Sequence, residues 1–422
     1  MPVTDPHAPH AAGPATQRHL ALTDRRSAHN YAPLPVVVAR ASGAWVEDVE
    51  GKRYLDMLSA YSALNFGHGH PEIVDTFVEQ ARRLSLTSRA FHNDQFAPFC
   101  DAITKFCGMD RVLPMNTGAE AVETAIKTAR KWGYKVKGVA EGQAEIIVCD
   151  GNFHGRSTTI VGFSSEDQYR DGFGPFTPGF RRIPFGDADA LAAALTPHTA
   201  AFLFEPIQGE GGIRIPPAGW LARCADLCRQ ANVLLIADEV QTGLGRTGRL
   251  LACEHEGVRP DGVILGKALG GGLLPVAAFV ADDAVMQVFQ PGDHGSTFGG
   301  NPLSSAVADE ALALLADEHL AERAATLGAR FLARLQRIAN PLIREVRGRG
   351  LLIGLELDTR RVNARLAAEW LLARGLMTKD THDSVLRFAP PLIVAEADLD
   401  WAGDVVEEAL ADLARRVTGS AP

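Results

Sequence analysis

Hydrophobic and polar positions follow several different patterns along this chain. Residues 36–58 carry short apolar stretches broken by turn-forming residues, which predicts small strands. Residues 71–84 begin with a proline and place apolar side chains three and four positions apart, which predicts a helix. From about residue 116 to residue 282, continuous apolar runs alternate with helix-like segments such as 220–232. Continuous runs are typical of strands that a parallel sheet buries on both faces.

The apolar runs indicate the class of fold. They are AEIIVCD (144–150), AAFLFE (200–205), VLLIADE (233–239), DGVILGK (261–267) and VAAFVAD (276–282). Strands that alternate with helices predict an open α/β sheet with right-handed crossovers. A long helical pattern over 302–338 follows. Residues 351–415 then mix strands with helices over 362–374 and 396–415, as an α+β domain does.

These patterns predict an α/β protein with a large domain, whose mostly parallel sheet is flanked by helices, and a smaller α+β domain. The expected segments are a disordered tail over 1–26, the first part of the small domain over 27–80, the large domain over 81–310, and the second part of the small domain over 311–422. The tail is expected to be disordered because it combines proline, histidine and alanine and has no apolar segment of a secretory signal.

Composition narrows the classes of function. The chain has 422 residues, more than one ordinary domain, and its 46% hydrophobic content is typical of a globular protein. A net charge of −9 without a basic stripe argues against nucleic-acid and anionic-membrane binding. No apolar run reaches the ~18 residues that cross a bilayer. Six scattered cysteines without a CxxC pair, and histidines without a metal-binding spacing, predict reduced thiols, no metal site and a cytoplasmic protein.

Three of the apolar runs end on charged side chains, namely Glu205, Asp238 and Lys267. Ligands of open α/β sheets bind outside the carboxyl ends of the strands. Charges beside such apolar runs are costly unless they are paired or used. Because glycines flank Lys267, an amine that forms a Schiff base fits better than a solvated surface lysine. Asp238 fits an anion that faces a heteroaromatic cation, and a cap of the next turn is the alternative.

The segment MNTGAEAVETAIKTARKWGY (115–134) is a candidate phosphate site. Thr117 and Glu120 have the spacing of a capping box in front of an apolar helical stripe. Backbone N–H groups at Gly118 and Ala119 would face an anion, which the helix dipole also favours. An ordinary N-cap is the alternative explanation.

Other glycine-rich segments are weaker candidates for binding. HGSTFGGN (294–301) offers the hydroxyls of Ser296 and Thr297, or is only a loop. GLGRTG (243–248) matches GxGxxG, but no clear helix opens at its end and no acidic residue ends a strand ~20 residues later, so a dinucleotide site is disfavoured. Residues 262–267 lack the spacing of a P-loop.

Pyridoxal phosphate (PLP) needs a lysine for its aldehyde, a carboxylate for its ring nitrogen and an anion site for its phosphate. Lys267, Asp238 and the turn over 117–119 meet these three needs independently. The sequence therefore predicts PLP as the cofactor.

Longer blocks resemble the class III (fold type I) aminotransferases, and in particular the ornithine aminotransferases. Those blocks include AHNYAPLPV (28–36), LSAYSALNFGHGHP (58–71), GNFHGR (151–156), EPIQGEGG (205–212), IADEVQTGLGRTG (236–248), LGKALGGGLLPVAA (265–278) and LRFAPPL (386–392). The resemblance extends from about residue 28 to residue 410. It implies a homodimer or larger oligomer with shared active sites, in which Ser296 and Thr297 reach the phosphate bound by the neighbouring subunit.

The resemblance also implies a set of cofactor contacts. Lys267 would bond to the aldehyde and later move a proton, Asp238 would hold the ring nitrogen, Phe153 would stack on the ring and Gln241 would touch its hydroxyl. The full implied set is Thr117, Gly118, Ala119, Phe153, His154, Glu205, Asp238, Val240, Gln241, Lys267, Ser296 and Thr297.

For the substrates, the resemblance implies L-ornithine and 2-oxoglutarate. Arg156 would bind the α-carboxylate of ornithine, Tyr31 would lie near its α-amino group and Tyr61 would line the pocket. Arg387 would bind a carboxylate of 2-oxoglutarate, and Glu210 would cover Arg387 while ornithine is bound. A planar guanidinium binds carboxylates with two hydrogen bonds, although structural ion pairs are the alternative for both arginines.

The implied reaction transfers the δ-amino group of ornithine to 2-oxoglutarate by a ping-pong mechanism. It yields glutamate and glutamate-5-semialdehyde, which cyclises to pyrroline-5-carboxylate, and belongs to arginine catabolism or proline biosynthesis. N-acetylornithine, 4-aminobutyrate and lysine are alternative donors. Tyr31 favours ornithine, because a donor without a free α-amino group has no use for it. A non-catalytic binding protein is the remaining alternative, against which the intact Lys267 and Asp238 argue.

Overall fold

A computed structural model describes residues 12–419 of the chain. Its helices, in chain order, are α1 Pro14–Arg26, α2 Ser59–Ser62, α3 Pro71–Arg83, α4 Phe96–Cys107, α5 Gly118–Trp132, α6 Thr158–Gly162, α7 Asp167–Arg170, α8 Ala188–Ala194, α9 Trp220–Gln230, α10 Asp283–Met286, α11 Pro302–Asp317, α12 Leu320–Gln336, α13 Ala364–Ala373 and α14 Glu396–Gly419. Its strands are β1 Val38–Ser42, β2 Trp45–Asp48, β3 Arg53–Asp56, β4 Arg111–Met115, β5 Glu145–Cys149, β6 Phe180–Ile183, β7 Thr199–Phe204, β8 Leu234–Asp238, β9 Gly262–Leu265, β10 Ala277–Ala281, β11 Ile343–Arg349, β12 Leu352–Leu357, β13 Leu376–Met377, β14 Lys379–Thr381 and β15 Val385–Phe388.

The chain divides into two compact units. The first takes Met1–His70 together with Arg323–Pro422, and the second is Pro71–Glu322. The two ends of the chain therefore belong to one unit. The divisions fall after residues 70 and 322, whereas the sequence pattern placed them after residues 80 and 310.

The second unit is built on a seven-stranded sheet in the order β4-β10-β9-β8-β7-β5-β6. The strands from β9 to β6 pair in parallel, and β10 runs antiparallel to both of its neighbours. Strands β7, β8, β9 and β10 are buried at every position. This confirms the predicted α/β class and the mostly parallel sheet.

Helices cover both faces of this sheet, because successive side chains of a strand point to opposite faces. Leu203 of β7 packs in a cluster with Val122 of α5. The preceding Phe202 packs on the other face with Leu221 of α9. Burial on two faces explains why the strands appear in the sequence as continuous apolar runs.

The first unit has two smaller sheets, in the orders β1-β2-β3-β13 and β11-β12-β15-β14. Strand β13 pairs in parallel with β3, with Leu376 beside Leu55 and Met377 beside Asp56. This pairing joins the N-terminal and C-terminal segments of the chain within one sheet.

Helix α1 contradicts the prediction of a disordered tail for residues 14–26. It begins with Pro14 in its first turn, where proline suits a helix, and the Glu50 carboxylate accepts the N–H groups of Ala15 and Thr16 at 2.8 and 3.0 Å. The composition of residues 1–26 gave no sign of this contact, because Glu50 lies more than 30 residues farther along the chain. The prediction for residues 1–11 lies outside the described residues.

The long helical pattern over 302–338 is confirmed as helical, but it is divided between two helices, α11 and α12. His319 between them has a φ of 50°, in the left-handed region. Neither glycine nor proline stands at this break, so the apolar periodicity continues across it and gave no sign of a reversal.

Element α2 is a left-handed turn. Ser59, Ala60, Tyr61 and Ser62 all have positive φ, between 46° and 73°, and none of them is glycine. The left-handed conformation costs roughly 1–2 kcal/mol for each residue that carries a Cβ atom. The turn is therefore a concentrated source of backbone strain in the first unit.

Ala60 allows this strain to be measured, because its side chain is exposed. Glycine removes the left-handed penalty of ~1–2 kcal/mol but adds ~0.5–1 kcal/mol of unfolded-chain entropy. We therefore expect Ala60→Gly to raise the free energy of unfolding by about 0.5–1 kcal/mol, measured by urea unfolding. The control Ala329→Gly, at an exposed position of α12, should lower it by about 1 kcal/mol. Equal destabilisation by both variants would contradict the left-handed assignment.

Candidate active site

Three adjacent strands bring Glu205, Asp238 and Lys267 to one edge of the large sheet. Phe204 of β7 pairs with Ala237 of β8, and Asp238 pairs with Ile264 of β9. Because these strands are parallel, the residues that end them leave the sheet on the same side. All three charged side chains line one cavity of about 210 Å³.

The cavity brings together nine of the twelve residues proposed as cofactor contacts. These are Gly118, Ala119, Phe153, His154, Glu205, Asp238, Val240, Gln241 and Lys267. Thr117, Ser296 and Thr297 are not part of its lining. Four further residues line it that sequence reasoning did not assign to the site, namely Val122, Gly155, Ile207 and Thr242. Gly155 and Thr242 directly follow His154 and Gln241 in the sequence, so they could have been predicted as neighbours of the site. Val122 was assigned only to the apolar stripe of the helix that follows Thr117.

The Asp238 carboxylate is buried and held by two partners. Its Oδ1 accepts the N–H of Val240 at 3.1 Å, and its Oδ2 lies 2.7 Å from Nδ1 of His154. The His154 side chain is fully buried, and among the described residues its Nε2 has no hydrogen-bond partner. The contact places His154 beside the Asp238 carboxylate, within the wall of the cavity.

Charge in this buried cluster is set by burial and by the neighbouring carboxylates. Burial lowers the pKa of His154, but the hydrogen bond and negative charge of Asp238 outweigh it, so this pKa is raised above its ordinary value. Burial raises the pKa of Glu205 to about 8. The shift of the His154 pKa favours an imidazolium beside Asp238, and that of the Glu205 pKa favours the protonated carboxyl.

Lys267 follows β9 and begins a short 3₁₀ turn that ends at Gly270. Its φ of 48° lies in the left-handed region, where residues with a Cβ atom are rare and often functional. A Cβ atom at the preceding Gly266 would lie 3.3 Å from Val240 Cγ1, and one at Gly118 would lie 3.2 Å from the same atom. Glycine at both positions lets the backbone pass close to the side chain of Val240.

The N-terminus of α5 forms another wall of the cavity. Thr117 caps the helix through the predicted capping box: its Oγ1 accepts the N–H of Glu120, and the Glu120 carboxylate accepts the N–H of Thr117 at 2.7 Å. Gly118 and Ala119 are the first helical residues, and the N–H groups of a first turn have no acceptor within their helix. They line the cavity and can bind an anion there.

The loop of Ser296 lies next to this helix end, since Nδ2 of Asn116 donates a hydrogen bond to Ser296 Oγ at 2.9 Å. Thr297 and Phe298 are exposed, and 55% of Phe298 is accessible to solvent.

The proposed substrate residues lie in both units. In the second unit, the guanidinium of Arg156 is exposed and lies 4.5 Å from the centre of the Tyr169 ring. Within residues 12–419 it forms no ion pair, so the structural alternative for Arg156 has no support in the described chain. Glu210, in the same unit, accepts a hydrogen bond from Gln241 Nε2 at 3.2 Å.

In the first unit, Tyr31 is 69% exposed, whereas Arg387 is 1% exposed. Nε and Nη2 of Arg387 donate to Oγ1 of Thr381 at 3.0 and 2.7 Å. The guanidinium lies 5.2 Å from the centre of the Tyr61 ring. Tyr61 and Arg387 are therefore neighbours within one unit.

The cavity's chemistry fits PLP. A lysine amine, a buried carboxylate and the N-terminus of a helix line the same space, as the aldehyde, ring nitrogen and phosphate of that cofactor require. Oε1 of Gln241 is buried and has no partner among the described residues, so it offers a polar contact to a bound group. A Cβ atom at Gly209 would overlap this oxygen, so glycine leaves room for the Gln241 side chain in its present position.

Two further findings concern metal sites and membrane-spanning helices. Across residues 12–419, no group of three His, Cys, Asp or Glu side chains is placed to hold a metal ion. Over the same residues, no helix has both the length and the apolar character needed to span a membrane.

Comparison with known proteins gives consistent results. Residues 26–410 match the model of the family described as aminotransferase class-III. The chain is 56% identical over 388 residues to an ornithine aminotransferase of Brevibacillus brevis, covering 92% of this chain and 96% of that protein. An ornithine aminotransferase structure from Toxoplasma gondii, with PLP at partial occupancy in its active site, has a TM-score of 0.94 at 45% identity and 96% coverage of both chains. An acetylornithine aminotransferase from Elizabethkingia anophelis has a TM-score of 0.87 at 51% identity, covering 94% of this chain and 99% of that one.

Proposed function

Because this chain belongs to the class-III aminotransferase family, we propose that it is a PLP-dependent ornithine aminotransferase that transfers the δ-amino group of L-ornithine to 2-oxoglutarate. The observation that carries this proposal is the convergence of Lys267, Asp238 and the N-terminus of α5 on one cavity. The choice of ornithine is supported by the relatives from B. brevis and T. gondii, which are ornithine aminotransferases.

The cavity residues divide the work of holding the cofactor. PLP supplies an aldehyde that captures amino groups and a ring that withdraws electrons from the attached carbon. Lys267 Nζ would bind the aldehyde, Asp238 the ring nitrogen, and the N–H groups of Gly118 and Ala119 the phosphate. Phe153 would stack on the ring.

Lys267 is also the proposed proton carrier. When it is not bonded to the aldehyde, Nζ of Lys267 would be placed to take the proton from the carbon that bears the δ-amino group and to return it. The buried strand β9 and the 3₁₀ turn after it hold the lysine backbone at the edge of the cavity.

Asp238 is proposed to hold a proton on the ring nitrogen, which requires that it stay anionic and fixed. His154 and the N–H of Val240 bind its two oxygens and so fix their direction. Burial raises the pKa of Glu205 to about 8, which favours the protonated form and so disfavours a second negative charge beside Asp238. His154 thereby serves as a positioning residue for Asp238.

Substrate recognition is proposed to divide between carboxylate-binding arginines. Arg156, which has no ion-pair partner in residues 12–419, would bind the α-carboxylate of ornithine, with Tyr31 at the α-amino group and Tyr61 lining the pocket. Arg387 would bind a carboxylate of 2-oxoglutarate, and Glu210 would neutralise it while ornithine is bound. Charge-assisted hydrogen bonds to a planar guanidinium suit this task.

Arg387→Gln tests this division of roles. We expect the half-saturation concentration for 2-oxoglutarate to rise by ~10–100-fold, because hydrogen bonds to charged groups contribute roughly 1.5–3 kcal/mol. Single-turnover kinetics of the two half-reactions measure this, and the ornithine half-reaction should change by less than ~3-fold. The control is Arg323→Gln, since Arg323 donates to the carbonyl oxygens of Leu392 and Val394 and should leave both half-reactions intact. Equal effects on both half-reactions would contradict the proposed role.

We also propose a cytoplasmic homodimer or larger oligomer that binds neither nucleic acid nor membranes. The exposed Thr297 and Phe298 would then be covered by the second subunit, and Ser296 and Thr297 would approach its phosphate. The six cysteines are free thiols, which suits a reducing compartment. Light scattering coupled to size-exclusion chromatography tests the assembly, and a monomeric holoenzyme would refute it.

N-acetylornithine is the second candidate donor, because the chain is 51% identical to an acetylornithine aminotransferase. The test of ornithine as substrate is a product assay with purified holoenzyme and 2-oxoglutarate. Ornithine should give glutamate and pyrroline-5-carboxylate in equal amounts. Formation of glutamate from N-acetylornithine or 4-aminobutyrate but not from ornithine would refute the proposed function.

A further inference from the structure

The left-handed turn Ser59–Ser62 holds Tyr61 in a conformation that its own residues disfavour. The hydroxyls of Ser59 and Ser62 are buried, and within the described residues neither has a hydrogen-bond partner, which adds a second cost. Strained segments persist only where the surrounding structure determines them, and they cluster at functional sites. The contacts that enforce this turn therefore indicate which residues maintain its function.

Asp56, the last residue of β3, enforces the start of the turn. Its Oδ1 accepts the N–H groups of Leu58 and Ser59, both at 2.9 Å. Its Oδ2 lies 2.9 Å from Nε2 of His68, and the Asp56 side chain is almost completely buried. Both carboxylate oxygens are thus engaged: one fixes the backbone entering the turn, and the other is fixed by His68.

The same turn is tied at both ends to the segment that follows Arg387. The N–H of Ala389 donates to the carbonyl oxygen of Met57 at 2.7 Å, and the N–H of Leu392 donates to that of Asn65 at 2.8 Å. Met57 follows Asp56 directly, and Asn65 lies just beyond the turn. The position of the turn relative to β15, which carries Arg387, is therefore fixed through the backbone.

The result of these contacts is the pairing of Tyr61 with Arg387. The guanidinium lies over the tyrosine ring, 5.2 Å from its centre, in a buried position where a cation and an aromatic face attract each other. Thr381 holds Nε and Nη2 of the same guanidinium. The position of the Arg387 guanidinium thus depends on Thr381 and on the ring of Tyr61, whose backbone is held in the left-handed region.

We propose that Asp56 and His68 are positioning residues that hold Tyr61 against Arg387 and so orient Arg387 toward the carboxylate of the incoming oxo acid. This inference rests on the proposed function, because it assumes that Arg387 binds 2-oxoglutarate. Asp56 and His68 act through the turn and need not touch the substrate.

Asp56→Ala tests the inference through the two half-reactions, measured separately in single turnovers. The half-saturation concentration for 2-oxoglutarate is expected to rise on the order of 10-fold, as the loss of one oriented cation–aromatic contact predicts. The half-saturation concentration for ornithine should rise less, by under ~3-fold, because Tyr61 lines the ornithine pocket without binding a charged group of ornithine. His68→Gln should shift the same 2-oxoglutarate value in the same direction by ~2–5-fold, since it removes only the partner of Asp56.

A rescue variant separates positioning from general stability. Ala60→Gly lowers the cost of the left-handed turn, so Asp56→Ala/Ala60→Gly should recover the 2-oxoglutarate value to within ~3-fold of the wild type. Its unfolding midpoint without cofactor should also exceed that of Asp56→Ala. If Asp56→Ala does not fold, Asp56→Asn, which keeps an oxygen for the two N–H groups, serves in its place, with an expected rise of ~3-fold.

Equal loss in both half-reactions, or no recovery on adding Ala60→Gly, would overturn the inference and leave Asp56 a purely structural residue. Wild-type enzyme that shows no half-reaction with 2-oxoglutarate would instead refute the proposed function. The two failures are distinguishable because the second needs no variant.

Discussion

Replacing Lys267 by alanine is expected to lower turnover with ornithine and 2-oxoglutarate by at least ~10³-fold, because both the covalent bond to the cofactor and the proton carrier are lost. The visible absorbance of covalently held PLP should disappear. Binding of PLP should weaken without vanishing, since Asp238 and the N-terminus of α5 remain in the cavity. Steady-state rates, absorbance spectra and retention of PLP on dialysis measure these three effects.

Lys137→Ala is the matched control for this variant. Lys137 is another partly buried lysine of the second unit, and its Nζ donates to the carbonyl oxygens of Thr199 and Ala231 at 2.7 and 3.1 Å. It should lose stability and keep its spectrum and its turnover per folded molecule. If Lys267→Ala kept more than roughly a tenth of wild-type turnover, both roles given to Lys267 would be wrong.

Asp238→Asn is expected to lower turnover by ~10²–10³-fold, the usual effect of removing one preorganised electrostatic partner. The amide has nearly the shape of the carboxylate but lacks the charge that would hold a proton on the cofactor ring. The dissociation constant of PLP should rise as well. Rapid-mixing kinetics and titration of the cofactor-free protein with PLP measure the two effects.

His154→Asn extends this test, because the positioning role proposed for His154 acts through Asp238. It should weaken PLP binding by ~10-fold in the wild type and by less than ~2-fold in an Asp238→Asn background. Asp261→Asn is the control: this carboxylate accepts the N–H of Leu235 at 2.7 Å near the start of β8, away from the end that carries Asp238. Its substitution should reduce stability alone. Additive effects of the His154 and Asp238 substitutions would contradict the positioning role.

The strand ends of the large sheet could be predicted because burial on two faces leaves a clear mark in the sequence. Apart from Thr199 at the start of β7, the strands β7, β8 and β9 carry no polar side chain before Glu205, Asp238 and Lys267, and parallel pairing then places these residues together. The capping box at Thr117 was equally local and is present as predicted. The main elements of the site depend on short stretches of sequence, and for that reason they could be predicted from the sequence.

Contacts between distant segments could not be predicted in the same way. His154 and Asp238 are 84 residues apart, and nothing in either segment indicates their pairing. The left-handed turn at Ser59–Ser62 contains no glycine, so the usual mark of positive φ is missing. Helix α1 depends on Glu50 in the same manner. Such features depend on tertiary partners, and those partners are visible only in the folded chain.

Glycines illustrate both cases. Gly266, one of the glycines that flank Lys267 in the sequence, leaves room for Val240 at the cavity, as Gly118 does, and Gly209 leaves room for Gln241. Gly271, which directly follows the 3₁₀ turn that begins at Lys267, packs elsewhere: a Cβ atom there would lie 2.7 Å from Ile73 of α3. Glycine near Lys267 thus serves helix packing as well as the cavity.

The claim that ornithine is the amino donor is best tested by measuring kcat/KM for ornithine, N-acetylornithine and 4-aminobutyrate with the same holoenzyme and 2-oxoglutarate. Ornithine should exceed both others by ~10²-fold or more, because a site built to bind the free α-amino group rejects donors that lack it. A higher kcat/KM for N-acetylornithine would contradict the claim and assign the enzyme to acetylated donors.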